Sequence, residues 1–183
     1  MAEPTTLPIL FVGEDQLESG ELTEAQIGWA KSSGFTGQRG RLLPLPDQEG
    51  KLSGYLFGTG ADANRPVFVA GLAAAGLGEG CYRLAGDFGD ATRAAIGFRL
   101  GGYRFDRFRQ ARTAPELELP AQADAEEVDR QVVAATLARD LINTPPNELG
   151  PDALDRTIRA FAVERGMGVT ATVGDELVTQ NFP

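Results

Sequence analysis

A chain without a single histidine has a short list of chemistries open to it. Imidazole is the general base of Ser-His-Asp and Cys-His catalysis and the commonest metal ligand, so those mechanisms and the usual zinc sites lie outside these 183 residues. Carboxylate, lysine and arginine chemistry remains, together with one thiol, Cys81. A lone cysteine closes no internal disulfide, and in GEGCYRLAG it stands among strand-like residues, where a small buried thiol is expected. Asp87 and Asp90 are spaced to act as a carboxylate pair, but Asp90 immediately precedes a helical pattern and serves more simply as its N-cap. The DFG at 87–89 lacks the catalytic loop that would make it a kinase magnesium motif. No catalytic residue and no metal ligand is therefore assigned within the chain.

The glycine motifs fail on the same kind of inspection. Gly71 and Gly76 have the spacing of a phosphate-binding loop, yet Leu77 and Gly78 stand where a lysine and a hydroxyl must meet phosphate and magnesium. GLGEG is too compact for a dinucleotide fingerprint, so its glycines are expected at turns and caps. Arg99, Arg104, Arg107, Arg109 and Arg112 alternate with aromatic residues in FRLGGYRFDRFRQAR. Such a stripe can face nucleic acid, but Tyr103, Phe105 and Phe108 also fit a strand with one buried and one charged face. A net charge of −9 makes a polyanion an unfavourable partner, and nucleic acid is not expected.

The elements that must carry these residues follow from pattern. LPILFV (7–12) suits a buried strand, and LTEAQIGWAKSSGF a helix with Thr23 as N-cap, Ile27 and Ala30 on one side, and Gly34 at its end. RLLPL and KLSGYLFG read as two strands joined through PDQEG. Val67 to Val69 look β-like, while Pro66, Leu72 and the following alanines favour a short helix. CYRLAG reads as a strand, and DATRAAIGFRLGGY as a helix capped by Asp90 and stopped at Gly101-Gly102. Strands interleaved with helices give an α/β layered domain over 1–120. The acidic, proline-bearing run from Pro115 to Glu127 then reads as a connector, with Asp124 and Glu127 as a capping box.

Val128, Val132, Ala135, Leu137 and Leu141 lie along one long helix, the second part of a connecting segment over 121–146. Pro145 and Pro146 cannot continue it, since each lacks an amide hydrogen and restricts the residue before it. Pro151 then sits in a first helical turn, Leu154, Ile158 and Phe161 form a stripe closed by Gly166, and Val169-Ala171-Val173 alternates like a strand. A single helix-strand pair over 147–183 is too small to bury its own apolar face, and reads as the opening of a truncated second domain. Hydrophobic residues make up 42% and charged residues 23%, with no apolar run long enough to cross a bilayer. MAEPTTLPILFV lacks a basic n-region, so a cytoplasmic location and no membrane partner are expected.

ARDLINTPPNELGP, followed by GVTATVGDELVTQNFP, resembles the interdomain segment of the leucyl aminopeptidase family, the metal-dependent cytosolic aminopeptidases. GFRLGGYRFDRF and YRLAGDFGDATRAAIGF are similar to that family's N-terminal domain. The resemblance implies a macro-domain-like mixed sheet flanked by helices, a linker helix, and a catalytic domain of which only the start is present. It implies a structural hinge at Asn143, Thr144, Pro145, Pro146 and Asn147. It implies two divalent metal ions, of Mn or Zn type, in the missing catalytic domain and no cofactor in this chain. The implied partners are the chain's own catalytic domain, a homohexamer of the parent, and peptides whose N-terminal amino acids the parent removes. The fragment alone is expected to be inactive, with a role in assembly and active-site access. The alternative is a freestanding macro-like module that holds an ADP-ribose-type ligand on backbone amides of Gly58 to Asn64 or of GLGEG.

Overall fold

The computed structural model describes residues 5–14, 16–18, 22–61, 66–108 and 113–182. They form two compact units, Met1–Thr136 and Leu137–Pro183.

The first unit is a five-stranded mixed sheet flanked by helices. Strand β1 (Leu7–Gly13) lies at its centre, parallel to β3 (Leu52–Gly60) on one side and to β4 (Cys81–Gly86) on the other. β2 (Leu42–Pro46) runs antiparallel to β3, β5 (Glu116–Leu117) runs parallel to β4, and the order is β2-β3-β1-β4-β5. A central strand is apolar on both faces because both faces are covered. Ile9 and Phe11 enter one buried cluster with Phe57, Tyr82 and Phe98, while Val12 enters another with Leu43, Leu45, Leu56, Ala30 and Phe35.

Helix α1 (Glu24–Ser32) covers the second cluster through Ala30. It starts at Thr23, as the sequence predicts: the Thr23 hydroxyl accepts from the Gln26 amide at 3.3 Å, and the structure adds a return bond in which the Gln26 side chain accepts from the Thr23 amide at 3.0 Å. Helices α2 (Ala70–Gly76) and α3 (Ala91–Gly101) cover the first cluster, with α2 supplying Ala70, Ala73 and Ala74. The two meet through glycines. A methyl on Gly101 would stand 2.0 Å from the Gly71 carbonyl oxygen, and one on Gly71 would stand 2.6 Å from that of Gly97. Close backbone approach, not phosphate binding, accounts for Gly71. Asp90 caps α3 by accepting the Arg93 amide at 2.8 Å.

Three local expectations are corrected. Residues 103–108 form no strand: the Arg104 guanidinium donates to the Gly101 and Tyr103 carbonyls at 3.2 and 3.0 Å, and the Phe105 and Phe108 rings meet at 5.9 Å, as residues three apart do in a turn and not in a ladder. The acidic connector begins later than its composition indicates, because Glu116 and Leu117 are the edge strand β5, whose ladder includes the Glu116 amide on the Gly80 carbonyl at 2.9 Å. Cys81 is half-buried, not buried, with its sulfur 3.6 Å from the Thr6 hydroxyl that donates to it.

Tyr82 carries a pH prediction. Its ring is buried among Tyr55 and Phe98, and burial, with Tyr55 beside it, pushes the phenol above its ordinary value. The folded state therefore favours the neutral phenol, so this contribution is fully present below pH of about 10 and is lost as pH rises through the raised value. Its hydroxyl donates toward the Gly78 and Glu79 carbonyls at 3.3 and 3.5 Å. Tyr82→Phe is expected to melt near the wild type at neutral pH and to lose less stability above pH of about 10. Equal alkaline loss in thermal melts of both proteins would refute this role.

Helix α4 (Ala125–Asn143) starts in the first unit. The Asp124 carboxylate accepts the Glu127 amide at 3.0 Å, but the other half of the expected capping box is missing: the Asp124 amide donates to Thr92 Oγ1 at 2.9 Å. The Glu127 carboxylate instead holds Gln131 and Arg130, which set it below the usual carboxylate range. Val128 docks the helix by burying itself against Ala95 and Ile96 of α3, and Arg99 pairs with Asp129.

The second unit contains the remainder of α4, then α5 (Pro151–Glu164) and α6 (Glu176–Thr179). Pro151 stands in the first turn of α5, and Gly166 follows it at φ 66°. Val169, Ala171 and Val173 form no strand. An alternating sequence needs a neighbouring ladder to satisfy its amides, and among the described residues these have none.

Candidate functional site at the double-proline junction

The junction from α4 to α5 lies within the second unit. Asn143 is the last residue of α4. Thr144 closes the helix with two bonds to one acceptor: its amide and its hydroxyl donate to the Asp140 carbonyl at 3.0 and 2.6 Å. Thr144 is buried, which fits a hydroxyl that has an internal partner. Pro145 and Pro146 then interrupt the i to i−4 pattern, and the Pro145 carbonyl accepts the amides of Glu148 and Leu149 at 2.9 and 3.0 Å. Asn147 occupies the resulting turn, and the Gly150 carbonyl accepts the Leu154 amide at 3.0 Å as α5 begins. Of the five residues expected at the hinge, Thr144 and Pro145 make these bonds, at the point where α4 stops. Asp140 and Pro145 supply the acceptors; a threonine placed four residues after Asp140 is the only local sign of that arrangement.

The glycine-lined end of β1 and β3 is not an open anion cradle. The Gly58 amide donates to the Arg41 carbonyl at 2.9 Å and the Gly60 amide to the Gly37 carbonyl at 2.8 Å, while residues 62–64 of the proposed loop lie outside the described residues. Those two amides are committed to the 37–41 loop and are not free to meet a phosphate. Gly76 closes α2, and Gly80, at φ 149°, turns the chain into β4.

The arginine stripe is likewise occupied. Arg99 pairs with Asp129, Arg104 holds backbone carbonyls, and Arg107 lies over the Phe108 ring at 5.5 Å; Arg109 and Arg112 lie outside the described residues. Among the described residues no group of three or more His, Cys, Asp or Glu side chains is placed to hold a metal ion. The donor set of the described residues does not fit a two-metal centre. Among the described residues no helix is long and apolar enough to cross a membrane.

Comparison with known proteins bears on the whole chain. The family described as M17 aminopeptidase, N-terminal domain, matches residues 7–120. A probable cytosol aminopeptidase of Mycobacterium ulcerans (strain Agy99) is 37% identical over 133 residues, 65% of this chain and 25% of that protein. The crystal structure of cytosol aminopeptidase from Coxiella burnetii superposes with a TM-score of 0.80 at 26% identity, over 98% of this chain and 40% of the other. The bottromycin maturation enzyme BotP, solved in complex with Mn, shares the fold at a TM-score of 0.73 and 22% identity, over 94% of this chain and 39% of the other. The chain thus spans two fifths or less of the length of these relatives. The match over 7–120 establishes that the chain belongs to the M17 aminopeptidase family and contains that family's N-terminal domain.

Proposed function

We propose that the chain is the non-catalytic N-terminal portion of a leucyl-type aminopeptidase, which removes N-terminal amino acids from peptides in the cytoplasm. The observation that carries this reading is the family match over residues 7–120, in a chain that spans two fifths or less of the relatives' length. In this reading 1–120 is a macro-like domain used for architecture and not for ligand binding. Residues 121–146 connect it to the catalytic domain, and 147–183 open that domain. Asn143, Thr144, Pro145, Pro146 and Asn147 are the structural hinge, where a proline-enforced stop sets the direction in which the catalytic domain leaves. The two divalent ions, of Mn or Zn type, belong to the rest of the parent, and so do the peptide site and most contacts of a homohexamer. Two such ions activate water and polarise the peptide carbonyl when bound, which dispenses with histidine.

The test is an assay of the 183-residue chain with leucine p-nitroanilide and added Mn²⁺ or Zn²⁺, beside the same chain extended by its native downstream coding sequence. The short chain is expected to give no turnover above the metal blank, and the extended chain metal-dependent turnover. Turnover by the short chain alone, or none by a folded extended chain, would sink the reading.

A further inference from the structure

We infer that the β2 rim of the sheet is closed to strand addition, and that Trp29 is the latch that completes the closure. An edge strand offers outward amides and carbonyls to any second strand, and natural sheets must block them. In β2 the outward residues follow from the register. The Gly58 amide donates to the Arg41 carbonyl at 2.9 Å, so residue 41 faces β3. By alternation Leu43 and Leu45, opposite Leu56 and Gly54, also face β3, and Leu42 and Pro44 face outward. Beyond the register shift between Leu45 and Pro46, the Asp47 amide donates to the Lys51 carbonyl at 2.7 Å, which leaves Pro46 outward as well.

Two of the three outward positions in β2 are therefore prolines, which have no amide to offer. The carbonyl of Pro44 is also taken: the Trp29 indole, on α1, donates to it at 3.0 Å. Trp29 is 43% exposed, so core packing alone does not account for an indole at this position. A hydrogen bond to the outward carbonyl of the edge strand does. The opposite rim needs no such device, because β5 has only two residues. A consequence for any assembly the parent forms is that its contacts do not run through strand pairing at β2.

Hydrogen exchange of the 183-residue chain carrying Pro44→Val and Pro46→Val, read at low and high protein concentration, tests the closure directly at the rim. The amides newly supplied at positions 44 and 46 are expected to exchange at least about tenfold more slowly at the high concentration, as strands pair edge to edge. Adding Trp29→Phe is expected to enlarge that concentration dependence. Fast, concentration-independent exchange at 44 and 46, with Leu43 and Leu45 still protected, would overturn the closure. An unchanged dependence on adding Trp29→Phe would overturn the latch. Should Leu43 and Leu45 lose protection, β2 has left the sheet, and Pro44→Val alone is then scored by the same criteria.

Discussion

Gly58→Ala is expected to cost the first unit about 3 kcal/mol or more, at the upper end of what overpacking does. The added methyl would stand 2.0 Å from the Gln38 carbonyl oxygen, 2.6 Å from the Gly37 carbonyl carbon and 2.7 Å from that of Gln38. Those atoms are backbone, so no side-chain rotation relieves the clash. Neither partner is free to retreat. β3 is held between β1 and β2, and the 37–41 loop is tied to it by the Gly40 amide on the Gly58 carbonyl, the Gly58 amide on Arg41 and the Gly60 amide on Gly37, at 2.8 to 2.9 Å. Gly37 has the same constraint from the other side, with φ 86° and a methyl position 2.2 Å from the Gly13 carbonyl oxygen. The same chemical change at Gly28 is expected to have the opposite sign. That residue lies exposed within α1 with nothing within 4 Å, so alanine there should gain roughly 0.5–1 kcal/mol from reduced backbone entropy. Thermal melts are expected to place Gly58→Ala roughly 10 °C below the wild type and Gly28→Ala slightly above it. A Gly58→Ala midpoint within about 2 °C of the wild type would show that the loop yields, and would refute the packing argument.

What was legible in the sequence was whatever a short window of residues settles by itself. Thr23 before α1, Asp90 before α3 and the prolines after Asn143 each act on neighbours three or four residues away, and each is found where expected; the return bond between Gln26 and Thr23 was not anticipated. The unbroken apolar run LPILFV likewise needed only its own residues to announce a strand buried on both faces. The misreadings share a different cause. β5 is a strand only because Gly80 and Tyr82 offer carbonyls from more than thirty residues away, and two glutamates in ELE hide it among linker-like acids. Residues 103–108 alternate aromatic and arginine like a strand, but the chain turns there, with Arg104 on the Gly101 and Tyr103 carbonyls and Phe105 against Phe108, which side-chain alternation does not disclose. The glycines near Gly58 and Gly71 were legible as glycines with a purpose, yet not as contacts: the carbonyls that exclude a methyl belong to Gln38 and to Gly97, which only the fold brings near. The helix stop at Pro145 and Pro146 is local; the Asp140 carbonyl as the double acceptor of Thr144 leaves no sign beyond a threonine four residues later.

Residues 169–173 are expected to exchange their amides at least on the order of a thousandfold faster than the central amides of β1 and β3, which open only with the sheet. The physical contrast is large. Ile9, Leu56 and Phe57 are fully buried in the ladder of β1 and β3, whereas Val173 is 68%, Val178 79% and Phe182 54% exposed. The bonds that organise the second unit beyond α5 are few and short in range, such as the Met167 amide on the Ala162 carbonyl at 2.8 Å and the Thr172 hydroxyl on the Gln180 side chain at 3.1 Å. An alternating Val-Thr-Ala-Thr-Val run with Ala171 and Val173 exposed and no ladder satisfies the sequence requirement for a strand and lacks only the neighbour. If the downstream residues of the parent supply that neighbour, extending the chain should slow exchange across 169–173 toward the rate of β1 while leaving β1 unchanged. Strong protection of 169–173 in the 183-residue chain would mean that the second unit orders this segment unaided. No gain on extension, in a protein whose added residues are themselves protected, would mean that it is a surface loop of the parent, and the alternation would then have no structural purpose.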